Sequence, residues 1–180
     1  VLLVAGILHT VILDVRANRR LEALRAAGQP TSLAELALRN KLPMGTDNAA
    51  CVYQSAIGMF VPPPPDVNIP FAGKKTVTLA RGSGIPESMA EAVAEFLAAN
   101  EKCLALLHEA GGIENCRFDY DYQKEMPPFS ELRVCAQLLK LAAVNHAQKG
   151  DPAPAASCIK DLLRMRSEEH TSELQSHHPI

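Results

Sequence analysis

The sequence predicts an all-α protein, with an N-terminal membrane helix cut short by the start of the chain and helical hairpins after it. Three observations carry this. Between Ser130 and Met165 apolar residues recur three and four apart on both sides of Gly150-Asp151-Pro152, the period that lays a stripe along one side of a helix. Hydrophobic residues make up 47% of the chain but aromatic residues only 4%, and Trp is absent, which leaves a core of Leu, Ala, Val and Ile packed helix on helix. The chain also opens on an apolar run, Val1 to Leu13.

Taken as a helix, those thirteen residues reach about 20 Å, short of the roughly 30 Å hydrocarbon core, so residues before Val1 are expected to complete a span. A signal-peptide apolar region and a buried soluble helix are the alternatives. Asp14 and Arg16 stand where a cleavage site wants small residues, which counts against the signal peptide. Arg16, Arg19, Arg20 and Arg25, with Glu22, continue the helix as a basic juxtamembrane segment that suits lipid headgroups. The lipid bilayer is thus an expected partner through residues 1–15. The positive-inside tendency leans the body toward the cytoplasm and leaves the side undecided.

Further along, the first helix is expected to run through Ala27 and stop at Gly28, with Pro30 reinforcing the break. Ser32 to Glu35 matches a capping box, followed by a short helix from Leu33 to Asn40. Pro43 and Gly45 end it. Thr46 or Asp47 then caps a helix whose buried face is Ala49, Val52, Tyr53, Ala56, Ile57 and Phe60, and Pro62 to Pro65 stop it as a stiff spacer. Residues 66–84 are irregular, with one alternating patch, Thr76 to Leu79. Pro86 opens the longest helix of the body, to about Ala110, with the stripe Met89, Val93, Phe96, Asn100, Leu104 and Leu107. Asn100 interrupts that stripe and is expected to fix register through a buried hydrogen bond. A loop rich in acidic and aromatic residues, from Ile113 to Met126, leads to the last hairpin, its aromatics expected to pack over that hairpin.

In the hairpin, the first stripe is Leu132, Cys135, Leu139, Ala142 and His146, and the second is Ala155, Ile159, Leu162 and Leu163. Gly150 sits past one helix, Asp151 caps the next, and Pro152 takes its first position. So short a turn makes the helices antiparallel. From Leu139 to Met165 this hairpin resembles one tetratricopeptide repeat, with Gly150-Asp151 at the turn, small Ala143 and Ala155 at the close approach and Ile159 at the large apolar position. It departs from that pattern at Leu139 and His146, where Trp and Tyr are usual. The chain also looks like bacterial membrane-anchored helical proteins of uncharacterised function, mainly over the anchor, the first helices and the hairpin.

Arg166 to Ser176 resembles the translation of a common sequencing-library adapter, and His177 and Ile180 fit the bases that follow it. The domain reading is therefore a membrane and juxtamembrane helix over 1–27, a helical domain over 28–165 and a non-native tail over 166–180, a natural acidic tail being the alternative. Setting the tail aside removes His170, His177 and His178, half of the six histidines, and leaves a net charge near zero. That balance argues against nucleic acid as a partner, since phosphate binding needs a clustered basic surface.

Chemistry-bearing patterns are few. Gly82-Ser83-Gly84 before a helix lacks the third glycine of a dinucleotide loop, Glu87 standing in its place. Glu87, Glu91 and Glu95 share a face without the Glu-x-x-His partners of a carboxylate-bridged metal site. Cys103, His108, Cys116 and His146 match no zinc spacing, and Asp119, Asp121 and Glu125 lack the pattern of a calcium loop. No Ser or Cys lies in a nucleophile elbow. Five dispersed cysteines, Cys51, Cys103, Cys116, Cys135 and Cys158, read as reduced thiols. No catalytic, cofactor or metal residue is therefore assigned. The expectation is a membrane-anchored protein that offers a helical surface to a protein partner, against two alternatives: part of an enzyme whose catalytic residues lie elsewhere, or a soluble helical fragment with a buried first helix.

Overall fold

The computed structural model describes residues 2–32, 34, 35, 38, 41–73, 77–80, 82–118 and 129–176, with side chains inside the helices described from residue 12 to residue 166. Among the described residues there are six helices and no strand: α1 (Leu2–Ala26), α2 (Ala49–Met59), α3 (Glu87–Ala99), α4 (Glu101–Gly112), α5 (Phe129–Gln148) and α6 (Pro152–Ser176). The all-α class is met. Of the alternating patch, Thr76 lies outside the described residues and Val77 makes an isolated bridge with Pro70. By its contacts the chain divides into two units, one containing α1 and the chain to Pro43, the other beginning at Met44 and holding α2 to α6.

In the first unit, α1 ends as its glycine predicts. Gly28 adopts φ +69°, the left-handed region open to glycine. Its amide donates to Arg25 O and the Gln29 amide to Leu24 O, the paired bonds of a Schellman ending. The Glu35 amide donates to Ser32 Oγ (3.2 Å) as the capping box requires, but the Glu35 carboxylate accepts from the Thr31 amide (2.7 Å) and hydroxyl (3.1 Å), one residue earlier than expected. These bonds from Thr31, the backbone one first, hold the Glu35 carboxyl below its usual range. Ile12, Leu13, Val15 and Leu24 of α1 are 42–49% exposed. No helix among the described residues is long and apolar enough to cross a membrane.

In the second unit α4 is central, packing against α2, α3, α5 and α6. Its Cys103, Leu107 and Ala110 are fully buried. The core continues through Tyr53 and Ala56 of α2, Val93 and Phe96 of α3, and Leu132, Cys135, Leu138, Leu139, Leu141 and Ala142 of α5. Val52 and Ile57 of α2, and Phe60 at its C-terminal cap, pack at the rim of this core, as the sequence pattern implies, but the N-terminal cap is Asn48, whose side chain accepts from the Ala50 amide. The hairpin forms with Gly150 at φ +82° and the Asp151 amide donating back to His146 O (2.9 Å). Ala143 and Ala155 are both buried where the two helices meet.

Two expectations are corrected. The long helix from Pro86 is two helices, broken at Asn100, whose ψ of 15° departs from helical geometry. Asn100 is fully buried and its amide turns outward to the chain that leaves α2: Oδ1 accepts from the Val61 amide (2.9 Å), while Nδ2 donates to Val61 O (3.0 Å) and Phe96 O (3.0 Å). The expected buried hydrogen bond is thus present, and its geometry breaks the helix that carries it. On α6, the buried line is Ala155, Cys158, Asp161 and Met165, whereas Ile159 and Leu163 are 49% and 62% exposed. Two apolar lines lie on this helix, and the one that meets α4 and α5 is the line with small residues and a carboxylate.

The long connections are fastened in one recurring way. Three side-chain amides each grip both the N–H and the C=O of a single distant residue: Asn48 on Arg117 (2.9 and 2.8 Å), Asn100 on Val61, and Gln148 on Ile85 (2.7 and 3.1 Å). A primary amide offers a donor and an acceptor side by side, so it can stand in for a strand neighbour where no strand exists. Gly84 leaves room for the Gln148 clasp, since a Cβ there would lie 2.8 Å from Gln148 Oε1. The expected packing of Tyr120 and Tyr122 lies outside the described residues; Phe118, just before them, packs at the core rim.

Candidate functional site

The densest gathering of reactive side chains lies where α6 crosses the last turn of α4. His108 is on the outer side of α4, one turn before the helix ends at Gly112. Asp161, buried at 6% exposure, reaches it from α6, with its Oδ2 2.5 Å from His108 Nδ1. Cys158, one turn earlier on α6 and 1% exposed, places Sγ 4.0 Å from His108 Nε2. Three residues beyond Asp161, Arg164 Nη2 donates to Ile113 O (2.7 Å), the carbonyl that follows α4, where a cation also meets the negative end of the helix dipole.

Gly111 makes this approach feasible. A Cβ at that position would lie 2.2 Å from Asp161 Oδ1 and 2.8 Å from its Cγ, so only glycine admits the carboxylate. A carboxylate that is ionised only accepts, so His108 Nδ1 facing it serves as the donor. The order carboxylate, imidazole, thiol is that of a nucleophilic triad. Its electrostatics are not. Burial, and then the negative charge of Asp161, push the Cys158 thiol above its usual range, so the sulfur keeps its proton and is closed to solvent. What the arrangement accomplishes is attachment, satisfying a buried carboxylate while joining α6 to α4.

Of the other sequence candidates, Asp119, Asp121 and Glu125 lie outside the described residues, and the rest do not gather into one site. Cys103 faces Cys135 of α5 rather than His108, and the hydrogen bond between these thiols lowers the first and raises the second. His146, at the far end of α5, is half-buried with Nδ1 unpartnered. None of the five cysteines is in a disulfide. Among the described residues no three His, Cys, Asp or Glu side chains are disposed to hold a metal ion. Glu87, Glu91 and Glu95 are exposed along α3. The Cys158, His108 and Asp161 cluster escaped the sequence reading because its members are 50 and 53 residues apart. The available signal was Asp161, a carboxylate on the side of α6 that Cys158 and Met165 bury.

Alkylation of the native protein by iodoacetamide, followed by peptide mass spectrometry, is expected to mark exposed Cys51 and to spare Cys103, Cys135 and Cys158 until the chain is unfolded. Rapid native labelling of Cys158 would mean that its thiol is open and activated.

Compared with models of known protein families, with curated protein sequences and with solved structures, the chain matches none.

Proposed function

We propose that this chain is a helical scaffold, attached to a membrane through α1, that receives an amphipathic helix on the outer face of α6. The single observation that carries the reading is the line of Ile159 and Leu163, exposed at 49% and 62% on a helix whose opposite side is locked to α4 and α5. A stripe one helical turn long or more, apolar and uncovered, is the feature that helix-in-groove recognition uses. The resemblance to a tetratricopeptide hairpin points the same way, since stacked hairpins bury such outer lines against the next helix. The shielded Cys158 thiol supports a role without catalysis.

The test is selection of displayed amphipathic helices by the full chain and by the double variant Ile159→Lys/Leu163→Lys. The two positions are exposed, so the variant should melt at the same temperature as wild type. Expected is enrichment of helices with apolar residues at three and four spacing by the wild type, and at least a tenfold loss of affinity in the variant. Equal binding by both chains, or no enrichment by the wild type, overturns the reading.

A further inference from the structure

We propose that α1 prefers bilayers that carry anionic headgroups, a property that rests on the membrane attachment above and names the lipid chemistry it requires. The argument starts from spacing. Arg16, Arg19 and Arg20 stand at i, i+3 and i+4, and at about 100° per residue they share one side of the helix. Ile12 lies one turn earlier on that side, with Leu13 at its edge, and both are exposed. Asp14 falls on the opposite side and Glu22 on the flank, so the acidic residues do not cancel the arginine face.

The fourth arginine is set apart by its bonds. Arg25 Nε donates to Thr31 Oγ1 (2.9 Å), inside the cap that Glu35 completes. Arg16, Arg19 and Arg20 are exposed, and among the described residues none of them makes an ion pair. Three guanidinium groups on one side, immediately after an apolar stretch, meet the two demands of an interfacial helix: apolar surface for the acyl boundary and cations for the headgroups. Each arginine near an anionic surface strengthens attachment several-fold, which for three amounts to about a hundredfold.

The experiment is co-sedimentation of the full chain with vesicles of phosphatidylcholine alone and of a phosphatidylcholine and phosphatidylserine mixture, at low and raised salt. Wild type is expected to bind both and to bind the mixture about a hundredfold more tightly, with that advantage lost at raised salt and in Arg16→Glu/Arg19→Glu/Arg20→Glu. Helical content of the variant by circular dichroism checks that α1 persists, and the salt dependence of the wild type tests the same charge effect without mutation. Equal binding to the two vesicles overturns the anionic preference and leaves membrane attachment standing. Binding to neither overturns the attachment itself. Tighter binding to duplex DNA than to the anionic vesicles at equal salt also overturns the proposal, in favour of nucleic acid.

Discussion

Asn100→Ala is expected to lower the stability of the helical unit by about 3 kcal/mol, measured by urea unfolding. The substitution removes three hydrogen bonds, leaves the groups of Val61 that Asn100 satisfied without a partner, and opens a space in a fully buried position. Alanine gains in helix propensity, but that is worth less than about 1 kcal/mol and cannot offset the loss. Asn100→Asp separates the two roles of the amide. A carboxylate can still accept from the Val61 amide, yet it also faces Val61 O and Phe96 O, from which the native Nδ2 formed its bonds. The ionised form is disfavoured there, so the folded-state pKa of the new carboxyl is raised above its unfolded value. The deficit of this variant relative to wild type is therefore smallest below the unfolded carboxyl range and grows as pH rises through the folded value. A deficit independent of pH would place the side chain in solvent.

Gly111→Ala is expected to cost about 2 kcal/mol although alanine is the better helix former. The new methyl would meet Oδ1, Cγ and Cβ of Asp161 together, and Asp161 has little freedom to swing aside because His108 holds it. α6 must shift away from α4. The diagnostic measurement is a double-mutant cycle with Asp161→Ala: shortening the aspartate removes the clash, so the double variant should be more stable than the sum of the single effects predicts. Additive effects would show that the two residues do not meet.

The elements that were legible in the sequence are those fixed by local chemistry. Gly28 and Gly150 ended helices because a left-handed residue was needed there, and Ser32 capped a turn through its own hydroxyl. The interior of α5 was legible because a three and four spacing leaves little choice of buried side once the hairpin is closed. What sequence pattern alone did not yield depended on partners distant in the chain. The break at Asn100 follows from a bond to Val61, 39 residues away. The expected stripe of α6 holds at Ala155, which is buried, and at Leu162, which packs on the core, but not at Ile159 and Leu163, since the crossing over Gly111 favours a line with room for Asp161. The reactive cluster was hidden for the same reason. Its chemistry is in the sequence, but its meeting place is made by a glycine on another helix.

The three amide clasps also set an order of assembly. They close intervals of 39, 63 and 69 residues, and each joins a residue at or near a helix end to a backbone segment with no regular hydrogen-bond ladder of its own. Such long closures are entropically costly until the helices around them have docked, so the clasps are expected to form late in folding. The connections of this protein are thus expected to be fixed after its helices have paired, each at one point rather than along a ladder.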